Sequence, residues 1–377
     1  MVGAQLCRLC YLPKTNDDEA DDFHMTDSGS DTPYASLTPH CVLDALDSLH
    51  ADAVRADGRL IALNSYENRV YQAGMEVGAP LVVKFYRPGR WSDAAIREEH
   101  GFLAELAAEE LPVAVPLAIG GEIGGEGNTL HFFEGHRFAV FPKRAGRAPE
   151  LDRRATLEWM GRMIARIHTV GARQPFRARP PLDIASFGEE PRDWLLDHDF
   201  IPDELLPAWQ SVVDQALDGV YRCFECAGAV RSLRLHGDCH GGNVLWLSEE
   251  ERGSGLLGEA GPNFVDFDDA RMGPAIQDLW MLLSGDADEM ARQLGAVLAG
   301  YRRFRDFDLA ELHLIEALRT LRLLHYSAWL ARRWDDPAFP AAFPWFNTPR
   351  YWQDRILEMR EQIALMDEAP LIPDESV

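Results

Sequence analysis

The chain has 377 residues, 46% hydrophobic and 26% charged, the composition of a water-soluble globular protein large enough for two lobes. Its 61 acidic residues against 37 basic ones leave a formal charge of −24, which repels polynucleotides and excludes a general nucleic-acid binder. No run approaches the roughly 18 apolar residues of a membrane span, and residues 1–22 lack the basic, apolar and small-residue order of a signal peptide, so the expected setting is the cytoplasm with no membrane partner.

Residues 1–37 are rich in Asp, Ser, Thr and Gly, with acids clustered over Asp17–Asp22, and read as a disordered acidic leader. Cys7/Cys10 and Cys223/Cys226 share the C-x-x-C spacing of zinc ligands, but no further cluster supports a zinc ribbon. From about 38 to 142 strand signals prevail. Arg59–Leu63 and Arg69–Gln72 flank a polar turn, Asn64–Asn68, as in a hairpin. Leu81–Tyr86 is an apolar strand containing one cation, Lys84, and Arg137–Phe141 is another strand. Between them the spacing predicts a helix from about Ser92 to Glu109. Its apolar face holds Ile96, Phe102, Leu103 and Leu106; at 100° per residue Glu99 falls near the middle of that face, and Glu98 does not. A carboxylate in an apolar stripe needs a partner, and Lys84 is the candidate.

From about 143 helical periodicity takes over, in Leu157, Met160, Ile164 and Ile167 and again in Leu314, Leu318 and Leu321. A strand-rich first third before a helical remainder implies an α+β protein of two lobes with a cleft between them. The lobes are expected over 38–142 and 143–370, with a tail at 371–377. Phe138–Lys143 links them. Glu249–Pro262, rich in Gly and Glu, reads as a surface loop between short strands.

The densest chemistry lies in Leu235–Trp246. An apolar strand leads in, Val244–Trp246 leads out, and between them stand His236, Asp238, Asn243 and three glycines that bar a regular helix. Asp238 and Asn243 are five apart, so in a loop that doubles back one can take a proton while the other binds a metal. Further on, the strand Asn263–Val265 delivers Asp266 to its end, where a metal-ligating carboxylate belongs. Hard Mg²⁺ takes one or two carboxylates, an amide oxygen and substrate phosphates, and Asn243 and Asp266 supply the protein's part. With Lys84 and Glu99 to hold phosphates and Asp238 to orient a nucleophile, these residues make up a phosphoryl-transfer set, in the order and spacing of the kinase plan.

On these residues the chain resembles the aminoglycoside phosphotransferase and choline kinase branch of the kinase-like superfamily, which has His-Gly-Asp where typical protein kinases have His-Arg-Asp. It is similar, more narrowly, to the bacterial stress response kinase A family, through Leu63–Tyr71, Val82–Pro88, Leu235–His240, Asp278–Leu283 and Trp334–Pro340. The resemblance covers about residues 38–370. It implies a bilobal protein-kinase-like fold with an antiparallel-sheet N-lobe and a mainly helical C-lobe. It implies Asp238 as catalytic base, Asn243 and Asp266 as Mg²⁺ ligands, and Ser65 as an ATP phosphate contact in the covering hairpin. Family members are cytoplasmic kinases acting on Ser or Thr of proteins, themselves included. The chain lacks the G-x-G-x-x-G covering loop and the A-P-E segment of typical protein kinases, and its leader and Glu249–Pro262 loop are additions to the family pattern.

Plainer readings stand beside these. His236, Cys239 and His240 suggest zinc only if Gly237, Gly241 and Gly242 allowed a helix, so His236 is expected to brace the loop. Ser65 is by itself a turn former, and Asp268 and Asp269 are solvated or brace their loop. Asp278 is expected as a buried anchor of the catalytic loop's backbone. The aromatic stretch from Tyr326 to Trp352 reads as core, with some of it available to an acceptor. Three functions follow: a monomeric Ser/Thr protein kinase of a stress response, a kinase of a small hydroxylated metabolite, or a nucleotide-binding regulator without turnover. The intact set Lys84, Asp238, Asn243 and Asp266 speaks against the last.

Overall fold

The computed structural model describes residues 33–120, 127–247 and 261–374. Cys7, Cys10 and most of the Glu249–Pro262 loop lie outside them, as does the leader up to residue 32. After a short helix α1 (Pro39–Asp47), five strands form one antiparallel sheet: β1 (Ala56–Leu63), β2 (Arg69–Met75), β3 (Leu81–Tyr86), β4 (His131–Phe133) and β5 (His136–Pro142), in the order β1-β2-β3-β5-β4. Helix α2 (Asp93–Ala108) interrupts them between β3 and β4. It starts where Ser92 caps it, its side chain accepting from Ala95 N at 3.2 Å, within a residue of the sequence expectation.

The remainder is mainly helical. The long helices are α3 (Arg154–Gly171), α5 (Leu206–Ala227), α7 (Ala287–Tyr301), α8 (Ile315–Ala331) and α10 (Pro349–Met366); α4 (Glu190–Asp197), α6 (Ile276–Trp280) and α9 (Ala338–Ala342) are short. Two small antiparallel ladders stand among them, β6 (Leu233–Arg234) with β9 (Met272–Gly273) and β7 (Val244–Leu247) with β8 (Gly261–Phe264). Together they set the loops around Asp238 and Asp266 side by side. This is the bilobal α+β architecture expected.

Two hydrophobic clusters explain how the lobes are joined. On one face of the sheet, Val83, Phe85, Phe138 and Val140 pack with Val42 and Leu46 of α1. Tyr34 and Leu37 are buried there too, although the sequence puts them in the acidic leader. Tyr34 is held there by its hydroxyl, which shares its proton between the carbonyls of Glu67 and Phe85, both at 3.2 Å. The second cluster runs from α2 (Ile96, Phe102, Leu103, Leu106) and Phe141 into α3 (Leu157, Met160, Ile164, Ile167) and on through the helical lobe. Helix α2 therefore shares its core with the C-lobe. Side chains alternate along β3, so Lys84 points away from Val83 and Phe85, toward α2.

The helical lobe is tightly drawn together at α3 and α7. A Cβ at Gly161 would lie 2.0 Å from the Val297 carbonyl oxygen and one at Gly300 would lie 1.9 Å from that of Glu158, so backbone meets backbone there.

Candidate active site

The Asp238 loop is built around a buried carboxylate. Asp278, at the start of α6, accepts from His236 N and Gly237 N, both at 2.9 Å. Behind it His168 of α3 bonds Asp278 Oδ2 at 2.9 Å through Nε2 and the Tyr301 hydroxyl at 2.9 Å through Nδ1. Gln277 holds the Gly237 carbonyl at 3.0 Å, and His236 Nε2 donates to the Val265 carbonyl at 3.0 Å. Position 237 admits glycine alone: its φ is +85°, and a Cβ would stand 2.1 Å from the Asp269 carbonyl oxygen. Asp278 and His236 thus do the bracing that the sequence assigned them.

Beyond this anchor the chain turns once through Gly241–Asn243 and returns, which brings Asn243 back to Asp238. Asn243 Nδ2 donates to the Asp238 carbonyl at 2.9 Å and to its carboxylate at 3.2 Å. The other Asp238 oxygen meets Arg322 of α8 at 2.8 Å, while His240 Nε2 lies 3.4 Å from the oxygen that accepts from Asn243. Burial opposes the Asp238 charge, but Arg322 and His240 outweigh it and hold the carboxyl far below its usual range. Sequence reading missed Arg322, because no local pattern ties α8 to a loop some eighty residues earlier.

Lys84, Glu99 and Asp266 also meet. Lys84 Nζ lies 3.1 Å from Asp266, 3.1 Å from Asp268 and 3.9 Å from Glu99. Burial works against the ammonium, but these carboxylates overcome it and raise its pKa well above the ordinary value. The Lys84–Glu99 pair is therefore present but long. Glu99 has a closer partner, Arg179, at 2.7 Å. That guanidinium also donates to the carbonyls of Ala95 (2.8 Å), Asp268 (2.8 Å) and Ala270 (2.9 Å), clamping α2 to the Asp266 loop. Five donors in a rigid fork suit Arg179 to this; a lysine ammonium could not span it. Even so, burial leaves the Glu99 pKa raised. Asp268 is buried, braced by Lys84 and Arg90, so of its two expected roles bracing is the one realised.

Ser65 lies half-buried in the turn between β1 and β2. The turn is tied to the other lobe through its neighbour Glu67, whose carboxylate accepts from Trp329 Nε1 and pairs with Arg333 at 2.8 Å. Tyr66 packs on Phe343 with ring centroids 4.8 Å apart. Most of the aromatic stretch is core, with Phe339, Phe346 and Trp352 at most 2% exposed; Trp329 and Phe343 reach across to the turn.

Comparison with known proteins agrees with this geometry. Residues 59–315 match the Phosphotransferase enzyme family. Stress response kinase A of Escherichia coli (strain K12) is 43% identical over 338 residues, 90% of this chain and 96% of the relative. The Serine/threonine protein kinase RdoA of Salmonella typhimurium is 44% identical over the same shares. The chain belongs to the stress response kinase A family. Among solved structures, the amicoumacin kinase hAmiN in complex with AMP-PNP, Ca²⁺ and Ami superposes with a TM-score of 0.62 at 19% identity, over 84% of this chain and 90% of that one. A microcompartment-associated aminopropanol kinase gives 0.61 at 19% identity, over 82% and 91%. At such identities these two carry the fold alone.

This stress response kinase A homologue offers a hard divalent ion a small, oxygen-only set. The Asn243 amide nitrogen is turned to Asp238, which turns its oxygen the other way. The Asp266 side chain is 55% exposed at the end of β8, on a left-handed backbone with φ of +60°. One carboxylate and one amide oxygen fit Mg²⁺ that arrives with nucleotide phosphates and water. Among the described residues no cluster of three or more His, Cys, Asp or Glu forms a closed metal cage, and no helix is long and apolar enough to cross a membrane.

Proposed function

We propose that this family member is a cytoplasmic Ser/Thr protein kinase of a stress response, moving the γ-phosphate of Mg-ATP to a hydroxyl on protein, its own chain included. The observation that carries the choice of acceptor is Arg322, 2.8 Å from Asp238. A guanidinium beside the base disfavours the cationic amino alcohols and amino sugars that a small-molecule kinase would take, and accepts a neutral serine or threonine hydroxyl. The name of the Salmonella relative supports the same reading.

In this reading Asn243 and Asp266 would hold Mg²⁺, which would supply charge neutralisation to the nucleotide phosphates. Lys84 leaves Asp266 and Asp268 to meet phosphate oxygens, while Glu99, fixed by Arg179, keeps its ammonium in place. Ser65 covers the phosphates, and main-chain groups near Phe138–Lys143 receive the adenine. Asp238 orients the acceptor hydroxyl and takes its proton as the bond to phosphorus forms. Its low pKa makes it chiefly an orienting hydrogen-bond acceptor, so catalysis rests on positioning and charge neutralisation.

The test is transfer of labelled γ-phosphate with the protein alone and with a generic protein acceptor, comparing wild type with Asp238→Asn. Label on protein that falls about 10²–10⁴-fold in the variant is expected. Nucleotide binding without label on any protein would overturn the protein-kinase reading and direct the search to small hydroxylated metabolites.

A further inference from the structure

A second cleft, of about 520 Å³, opens between the segment that follows β3 and the C-terminal half of α8. Its wall carries Arg87, Arg90, Arg271, Arg332 and Arg333, with Glu190 as its one carboxylate. In a chain of net charge −24, five guanidinium groups gathered on one wall is an unusual local density of cations.

Most of these charges are balanced from behind or from the rim. Arg87 pairs with Asp336 at 2.9 Å, Arg90 with Asp268 and with Asp269 at 2.7 Å, Arg333 with Glu67 at 2.8 Å, and Arg332 with Glu190 at 2.6 Å. Arg271 is matched worst, with Asp269 at 3.5 Å, and lies stacked near Trp91 and Phe187. Its buried Nε has no hydrogen-bond partner, nor do Nε1 of Trp91 and Nδ1 of His325. Arginine and indole nitrogens can only donate, so Arg271 and Trp91 each leave a donor without an acceptor. Burial without full compensation lowers the pKa of Arg271, and burial first, then the charge of Arg271, pushes His325 well below its ordinary value.

We propose that this cleft binds a phosphate dianion, free or as a monoester. A dianion with three acceptor oxygens suits guanidinium groups that converge from several directions, where a planar carboxylate would satisfy one fork. The indole rings of Trp91 and Trp329 on the same wall supply contact for the organic part of the ligand. The group has two possible sources, free phosphate or a phosphorylated hydroxyl of a protein. Occupancy would compete with Asp268 for Arg90, and Asp268 also holds Lys84 at 3.1 Å, so the cleft is wired to the candidate active site.

The experiment is calorimetric titration of the full chain with inorganic phosphate and with a short phosphoserine peptide. Ionic strength is held constant, and saturating Mg-AMP-PNP keeps the probes out of the nucleotide site. Saturable binding of at least one phosphorylated probe is expected, with none for the unphosphorylated peptide. Arg332→Gln should weaken it about tenfold or more, the worth of one charge-assisted contact. The Arg332 side chain is 29% exposed, so this variant keeps its fold; Arg271→Gln, checked by circular dichroism, should act the same way. Phosphate bound without the peptide assigns the site to the free ion, and tighter peptide binding assigns it to phosphoprotein. Absence of saturable binding, or binding that both variants leave unchanged, overturns the proposal. Phosphotransfer is not the readout, so this test stands apart from that of the proposed function.

Discussion

The loop that carries Asp238 and the turn that carries Ser65 lie in different lobes and are fastened by different chemistry. The loop is held by backbone groups: both oxygens of Asp278 accept main-chain N–H bonds, and Asp278, His168 and His236 are 0% exposed. The turn is held at a distance by side chains from the opposite lobe, Trp329 and Arg333 on Glu67. Backbone bonds to a buried carboxylate leave no rotamer freedom, so the first arrangement fixes distances. Long side chains meeting across a cleft can release by rotation, so the second arrangement is the easier of the two to undo. The molecule is bolted at the Asp238 loop through its backbone and latched at the Ser65 turn through side chains.

Asp278→Ala should produce the largest effect. It strands two buried N–H groups and the His168 imidazole, costs about 3–5 kcal/mol in urea unfolding, and abolishes transfer. A variant with near wild-type stability and rate would show that the loop is not bolted there.

Acid should weaken the nucleotide-side lobe next. His100 of α2 bonds the Tyr86 hydroxyl of β3 at 2.8 Å and Thr129 at 2.9 Å. Burial first, then the charges of Lys84 and Arg179, push its pKa from 6.5 down to about 3. The folded state therefore disfavours the imidazolium. Its stability is fully present above pH 6.5 and is lost as pH falls toward 3, by about 1.4 kcal/mol per pH unit. Denaturation midpoints measured down that range should show the slope, and His100→Gln should flatten it.

Glu67→Gln weakens the latch and leaves the bolt alone. A loss of about 1 kcal/mol should speed release of a fluorescent ADP analogue about fivefold, with little change in the chemical step under single-turnover conditions. Unaltered release would mean that Glu67 only supports the fold. The smallest change is expected for Arg322→Gln. Arg322 holds the Asp238 pKa down, so its removal should move the acid limb of the kcat/KM profile to higher pH while stability stays put. An unmoved limb would separate Asp238 from that limb.

The difference between bolt and latch also marks what was legible in the sequence. Strand β3 and helix α2 fall within a residue or two of their expected ends, because Ser92 caps the helix and apolar periodicity ends with it. Glu99 on the apolar face is buried as its angular position requires, and Asp278 anchors the loop that follows β6. The partner of Glu99 was read incompletely. Lys84 lies nearby on an obvious strand, whereas Arg179 sits in a loop without periodicity, some eighty residues on. Arg322, Arg90 and Glu67 left no mark for the same reason: a charged residue on a helix or turn reads as solvated until something is packed against it.

The sequence by itself determined the two-lobed α+β architecture, the order of the chemical residues and the returning loop that joins Asp238 to Asn243. These follow from periodicity, glycine placement and short spacing, which act within a few residues of chain. Only the tertiary structure decided which cations meet which carboxylates, that α2 shares its core with the helical lobe, and that five arginines converge on one cleft. Those outcomes depend on distances between segments far apart in the chain, where burial strengthens a charge interaction that water would otherwise screen.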